Sequence, residues 1–201
     1  MAAHEGTVVD QDFEATGDPI HRTRKTAMWI FLASEVFFFG AMISTFLLYR
    51  GTTADGPGAE IFNIPFTSAS SFVLLMSSLT MVLADHAFQK EDQRQGRIWL
   101  IGTALLGLTF LAGQIFEFTE FYHEGLTPQV SPFGSSFYML TGFHGLHVAG
   151  GVMMLSMLIA FSFRGRYNSD HGMNVEITAL YWHFVDIVWI VIFTVIYLLQ
   201  I

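Results

Sequence analysis

No cysteine occurs in the 201 residues, which excludes disulfides, thiolate metal sites and cysteine nucleophiles. Charge is scarce. Only 13% of residues are charged, against 52% hydrophobic and 15% aromatic, and the mean hydropathy is +0.48. A soluble domain of this length needs more polar surface to cover itself, so lipid is the expected solvent for much of the chain. The net charge of -8 gives no reason to expect a nucleic-acid partner. No GxxxxGK, GxSxG or phosphate-cradling glycine loop is present.

What is there is a succession of long apolar runs, at 27–49, 67–88, 98–122, 135–163 and 175–200. Each meets the requirement of about 20 residues for a membrane span. The fold class expected is therefore all-α, a polytopic bundle of five transmembrane helices. Residues 1–21 are polar and acidic, with Glu5, Asp10, Asp12, Glu14 and Asp18, and read as a flexible cytoplasmic tail ahead of the membrane domain 22–201. The first apolar run is too long for a signal peptide and lacks a small-residue cleavage site. The linkers are short and rich in Gly, Pro, Asp or basic residues.

Basic residues predict the orientation. Of the nine Lys and Arg, eight fall before the first span (Arg22, Arg24, Lys25) or in the second (Lys90, Arg94, Arg97) and fourth (Arg164, Arg166) connections. Arg50 alone lies on the other side. The positive-inside rule then places the N-terminus inside.

The costly residues lie within the spans. At about 1.5 Å per residue, Glu35, His144, His147, His183 and Asp186 all come out near mid-membrane. Ionisable groups at that depth are expected to point inward and bond one another. Three readings of this set stand side by side: a structural polar network joining helices one, four and five, a proton path, or a metal site built from the histidines and Glu35. Around them, Trp29, Gln114, Glu117 and Trp182 are candidates for lipid or partner contact. Gly142, Gly145 and Ala149 share a face of the fourth helix, roughly opposite His144, His147 and Gly151, and form a candidate small-residue packing surface. Phe37, Phe38, Phe39 and Trp189 read as packing or lipid-facing residues. Tyr49, Trp99, Tyr122 and Tyr197 read as interfacial aromatics, and Met153, Met154 and Met157 as gap-fillers.

Several segments also carry a resemblance. TGFHGLHVAGG (Thr141–Gly151), YWHFVDIVWIVIF (Tyr181–Phe193), WIFLASEVFFFGAM around Glu35 and GQIFEF around Gln114 and Glu117 resemble the hallmark stretches of subunit III of haem-copper terminal oxidases. The match covers about residues 24–200, in its short five-helix form. Seven-helix members have two further N-terminal helices that close a lipid-holding cleft, so that cleft is expected here only in part. The resemblance implies a non-redox accessory subunit of a proton-pumping cytochrome c oxidase. Such a subunit stabilises the catalytic subunit, binds phospholipid and supports proton uptake. It implies no catalytic residue, metal or cofactor on this chain, haem and copper in the partner subunits, subunits I and II as partners, and a bacterial cytoplasmic (inner) membrane as the location. It places Glu35 at the family's reactive buried glutamate, and helix one is expected to face subunit I. The alternatives are the same role in a quinol oxidase or nitric oxide reductase-type complex, and a freestanding proton-coupled transporter built on Glu35, His144 and Asp186. The last lacks an inverted repeat or broken helix to support it.

Overall fold

The computed structural model describes residues 19–163 and 169–199. Of the tail expected over 1–21, residues 1–18 lie outside the described residues, as do Arg164 and Arg166. Five helices follow one another: α1 Pro19–Tyr49, α2 Ile64–Gln89, α3 Gln93–His123, α4 Pro132–Phe163 and α5 Ser169–Phe193, the last continued by a π-helical turn, Thr194–Leu198. All five are long and apolar enough to cross a membrane, and no strand occurs among the described residues.

Helices α2, α3 and α4 begin three to five residues before the apolar runs expected from sequence. Polar caps extend each one past its greasy core. The Asn63 side chain accepts from the Phe66 N–H at 3.2 Å, Asp92 from Gln95 N–H at 3.0 Å, and Ser131 Oγ from Gly134 N–H at 3.0 Å, satisfying helix-start donors that lipid could not. The far ends close by a shared device. At the end of α3, Leu126 N–H donates to Phe121 O and Gly125 N–H to Tyr122 O, with Gly125 at φ +89°. At the end of α2, Asp92 N–H donates to Ala87 O and Glu91 N–H to Phe88 O, with Glu91 at φ +61°. These are the two bonds of a Schellman ending. Glycine takes the left-handed position freely, whereas Glu91 holds it at a cost.

Helices α2 to α5 form a ring in which α2 neighbours α3 and α5, and α4 neighbours α3 and α5. Helix α1 lies outside the ring, against α4 and α5. Leu74, Met81, Leu100, Phe110, Leu140, Val148, Leu155 and Ile192 fill the interior. One end of the ring is plugged by Phe62, whose ring lies 5.0 Å from Phe137, 5.0 Å from Tyr197 and 5.4 Å from Phe121. Tyr197 is therefore buried and not an interfacial residue, because the π turn swings it inward onto Phe62. Large apolar side chains cover the outside, Phe37 at 80% exposure and Leu48 at 73% among them. That surface is suited to lipid and not to water. Of the expected gap-filling methionines, Met154 packs on the core, while Met153 and Met157 are exposed.

Candidate functional site

The polar residues inside the spans form a set of separate ties between helices, not one cluster. Between α1 and α4, Glu35 Oε2 lies 3.1 Å from His147 Nε2, with both side chains largely covered. His147 Nδ1 lies 2.7 Å from the Phe143 carbonyl, which can only accept, so Nδ1 carries a hydrogen. Nε2 then either accepts from a protonated Glu35 or, as an imidazolium, donates to its carboxylate. In both forms the pair holds one proton and is neutral overall. Between α4 and α5, Tyr181 O–H donates to the His147 carbonyl at 2.9 Å.

Helices α2 and α5 meet along an antiparallel seam of hydroxyls and rings. Trp189 Nε1 donates to Ser71 Oγ at 2.8 Å, Trp182 Nε1 to Ser77 Oγ at 2.9 Å, and Ser78 Oγ lies 2.6 Å from His183 Nδ1. Between α2 and α3, Thr80 pairs with Thr103 at 2.8 Å, and Thr67 donates to Glu117. Between α3 and α4, Gln114 Nε2 donates to the Thr141 carbonyl at 2.7 Å. At the helix ends, Arg97 Nε donates to Ser162 Oγ at 2.7 Å, and Lys25 pairs with Glu176 at 2.6 Å. Every neighbouring helix pair therefore carries a polar link, the glue that membrane bundles use in place of a hydrophobic drive.

Two expectations are corrected here. Gln114, Glu117 and Trp182 are buried and not lipid- or partner-facing; of the four candidates, Trp29 alone is exposed. Trp182 is the bolt of the ring. From α5 its indole reaches Ser77 on α2 and lies between Gly107 of α3 and Gly151 of α4, where an added Cβ would come within 2.6 Å of the ring. Second, the five mid-membrane residues do not all bond one another. His144 is fully buried with neither ring nitrogen partnered among the described residues. It stacks on Trp189 at 4.8 Å, with Phe110 at 6.0 Å and Phe39 at 6.4 Å presenting edges. Asp186 is buried and likewise without a hydrogen bond. The reason is angular: His144 faces the ring, whereas His147, 300° further round, faces α1. The small-residue face of α4 meets the rest of this chain at Gly145, which lies against Gln114. Gly142 has nothing within 4 Å and Ala149 is exposed. The buried stripe of α4, through Thr141, His144, Gly145, Val148, Val152 and Leu155, runs between the two faces read from sequence. The partners missed there, Ser71, Ser77 and Ser78, had a visible signal in the hydroxyl-rich run TSASS and SSLT inside an apolar helix.

Among the described residues, no group of three or more His, Asp or Glu side chains could hold a metal ion. A family model described as cytochrome c oxidase subunit III matches residues 5–201. The chain belongs to the cytochrome c oxidase subunit III family. It is 35% identical over 200 residues to the probable quinol oxidase subunit 3 of Staphylococcus saprophyticus subsp. saprophyticus, covering 98% of this chain and 96% of that protein. It is 38% identical over 172 residues to cytochrome c oxidase subunit 3 of Bacillus sp. strain PS3, covering 85% and 83%. The figures for the Bacillus subtilis strain 168 protein of that name are 39% over 173 residues, 85% and 84%. Membership makes this chain an integral membrane protein and one subunit of a multi-subunit oxidase complex.

Proposed function

We propose that the chain is the non-redox accessory subunit of a proton-pumping haem-copper terminal oxidase, with cytochrome c as the donor to the complex. Its roles are to brace the catalytic subunit I, to bind phospholipid and to support proton uptake, with haem and copper held by subunits I and II. The observation that carries the reading is where the polar side chains go. Glu35, His147, Gln114, Glu117, Trp182 and Trp189 are each spent on joining two helices of this chain, an inventory suited to a rigid scaffold and not to turnover. Helix α1 supports the docking half. Trp29, Ile30, Phe37 and Leu48 expose a long apolar face, and this is the face assigned to subunit I. A bacterial cytoplasmic membrane with the N-terminus inside completes the reading, in keeping with the bacterial relatives and the basic connections.

The same role in a quinol oxidase is the second reading, favoured by the name of the Staphylococcus relative. Mass spectrometry of the complex isolated in mild detergent tests both. The expected result is this chain together with a haem-bearing catalytic subunit and retained phospholipid, the other subunits telling the two donors apart. A chain that purifies alone, or that carries haem or metal itself, overturns the proposal.

A further inference from the structure

Five exposed hydroxyls in the spans turn back on their own helix. Those of Ser34, Ser44, Thr45, Thr109 and Thr119 each donate to a carbonyl three or four residues earlier. His183 on α5 makes no such return. Its Nδ1 lies 2.6 Å from Ser78 Oγ on α2, and among the described residues that nitrogen is the acceptor of the Ser78 hydroxyl. A neutral imidazole that accepts at Nδ1 carries its hydrogen on Nε2. The ring is half-buried, and Nε2 has no partner among the described residues and is not sealed inside the bundle. An N–H donor therefore faces outward.

Its depth makes that costly. Residue 185 is midway along the span Gly172–Leu198, so His183 lies about 3 Å from the centre. Hydrocarbon offers no acceptor there, and the headgroups are about 15 Å away, half the thickness of the core. Helix α1 does not cover the site, because it meets this part of α5 at Tyr181, about 200° round from His183. Asp186, one turn on, is buried in the ring.

The surface around the donor is aliphatic. Ile187, Ile190 and Val191 continue the outer face of α5, and Leu75, Leu79 and Val82 share the face of Ser78 on α2; all six are exposed. Inside the bundle, neighbouring helices join by the same composition, apolar ridges with a hydrogen bond between them, as at Thr80–Thr103 and Gln114–Thr141. The outer side of the α2–α5 seam repeats it with half of the bond in place.

We propose that this seam seats a transmembrane helix of another subunit of the complex, which sets an acceptor oxygen against His183 Nε2–H at mid-membrane. The partner segment is an apolar span with one Ser, Thr, Asn, Gln, Asp, Glu or Tyr level with His183. A lipid chain fills the ridges equally well and leaves the donor unpaired, which favours a helix as the occupant. This is a second interface, separate from the α1 face assigned to subunit I, and it holds whichever donor feeds the complex.

Photo-crosslinking in the assembled complex tests it. Benzoylphenylalanine placed at Leu79 or Ile187 leaves His183 intact. The expected product joins each position to a membrane-spanning peptide of another subunit, within a turn of a residue that carries an acceptor oxygen. Products with lipid alone, or with a second copy of this chain, overturn the proposal. A probe at Phe37 reports on the α1 face, so either interface can fail without the other. The hydrogen bond is read from a pair of variants. His183→Asn keeps an acceptor near the Nδ1 position for Ser78 and removes the outer donor, whereas His183→Gln keeps a donor near the Nε2 position. After detergent washing, the ratio of the crosslinked subunit to this chain should fall about threefold to tenfold in His183→Asn, the range of one hydrogen bond. It should stay near wild type in His183→Gln. An unchanged ratio in His183→Asn rules out the acceptor, and should that variant fail to assemble, the Leu79 and Ile187 products decide alone.

Discussion

Helices α1 and α5 are equally apolar over their best stretches, yet 17% of that stretch is buried within the chain in α1 and 50% in α5. In water, equal apolarity would mean equal burial. In lipid it does not, because hydrocarbon outside the bundle is as good a solvent as leucine inside it. What separates the two is shape and polar pairing. Helix α5 supplies Trp182, His183 and Trp189 to serines of α2 and slides Trp182 between two glycines. Helix α1 has three isolated polar contacts, Lys25–Glu176, Glu35–His147, and Arg50 Nη1 to the Leu199 carbonyl at 3.4 Å, beside the packing of Phe38, Phe39 and Phe46 on α4. The ring should therefore break at α5, and α1 should loosen without breaking it.

Trp182→Ala is the most severe test of that contrast. It empties a space bordered by α2, α3 and α4 and leaves Ser77 without its donor, and truncation of a buried aromatic costs about 3–5 kcal/mol. The expected outcome is loss of the chain from the purified complex or a large fall in its melting temperature. Trp29→Ala, at an exposed site on α1, should leave both nearly unchanged. Equal effects from the two would erase the distinction between the helices.

Next come the glycines. Gly151→Leu drives a side chain into the Trp182 ring, which is also closely approached by Gly107 and tied to Ser77. Gly145→Leu meets the amide end of Gln114, a flexible chain that can swing aside at the cost of its bond to Thr141. Overpacking costs about 1–3 kcal/mol, and Gly151→Leu should sit at the upper end. Subunit content in detergent should fall for both and further for Gly151→Leu; unchanged content after Gly145→Leu would show that this glycine is not a packing site.

These glycines also mark where sequence reading stopped. The five helices are legible because lipid demands long apolar runs, and depth alone points to a polar network joining helices one, four and five. Depth, however, fixes a level and not a direction. His144 and His147 share a level, yet one faces an aromatic box and the other α1. Gln114 and Glu117 lie late in the third apolar run and read from sequence as lipid or partner contacts, whereas here Thr141 and Thr67 draw them inward. Trp182 reads from sequence as a further lipid or partner contact and lies in the core. Tryptophan suits both an interface and a core, and its place was settled by Gly107 and Gly151, two residues remote from it in sequence.

The α1 tie offers a finer test. Glu35→Gln keeps a donor for His147 Nε2 and should change stability little. Glu35→Ala leaves a largely covered imidazole without its partner, a loss of about 1–3 kcal/mol. Both should retain electron transfer when compared at normal subunit content, because the pair braces a helix and touches no reacting atom in this reading. An immediate loss of turnover in Glu35→Ala would move Glu35 from bracing to chemistry.

The smallest effect belongs to the loop that joins α1 to the ring. Glu60, exposed, accepts from the Gly58 N–H at 2.9 Å, and this donor first of all holds its carboxyl below the usual value. A carboxyl depressed in the folded state adds stability above its unfolded pKa, and that contribution fades as pH falls through the folded pKa. Water screens so exposed a group, so the global melting temperature should barely register it. The local readout is hydrogen exchange at the Gly58 amide, corrected for intrinsic rate. Protection should fall on acidification in the wild type and stay flat in Glu60→Gln, whose amide oxygen accepts at any pH. Parallel curves for the two proteins would mean that the Gly58 turn, with its neighbours Ala59 and Ile61, holds its shape without the carboxylate, and that α1 is joined to the ring by backbone geometry there and not by charge.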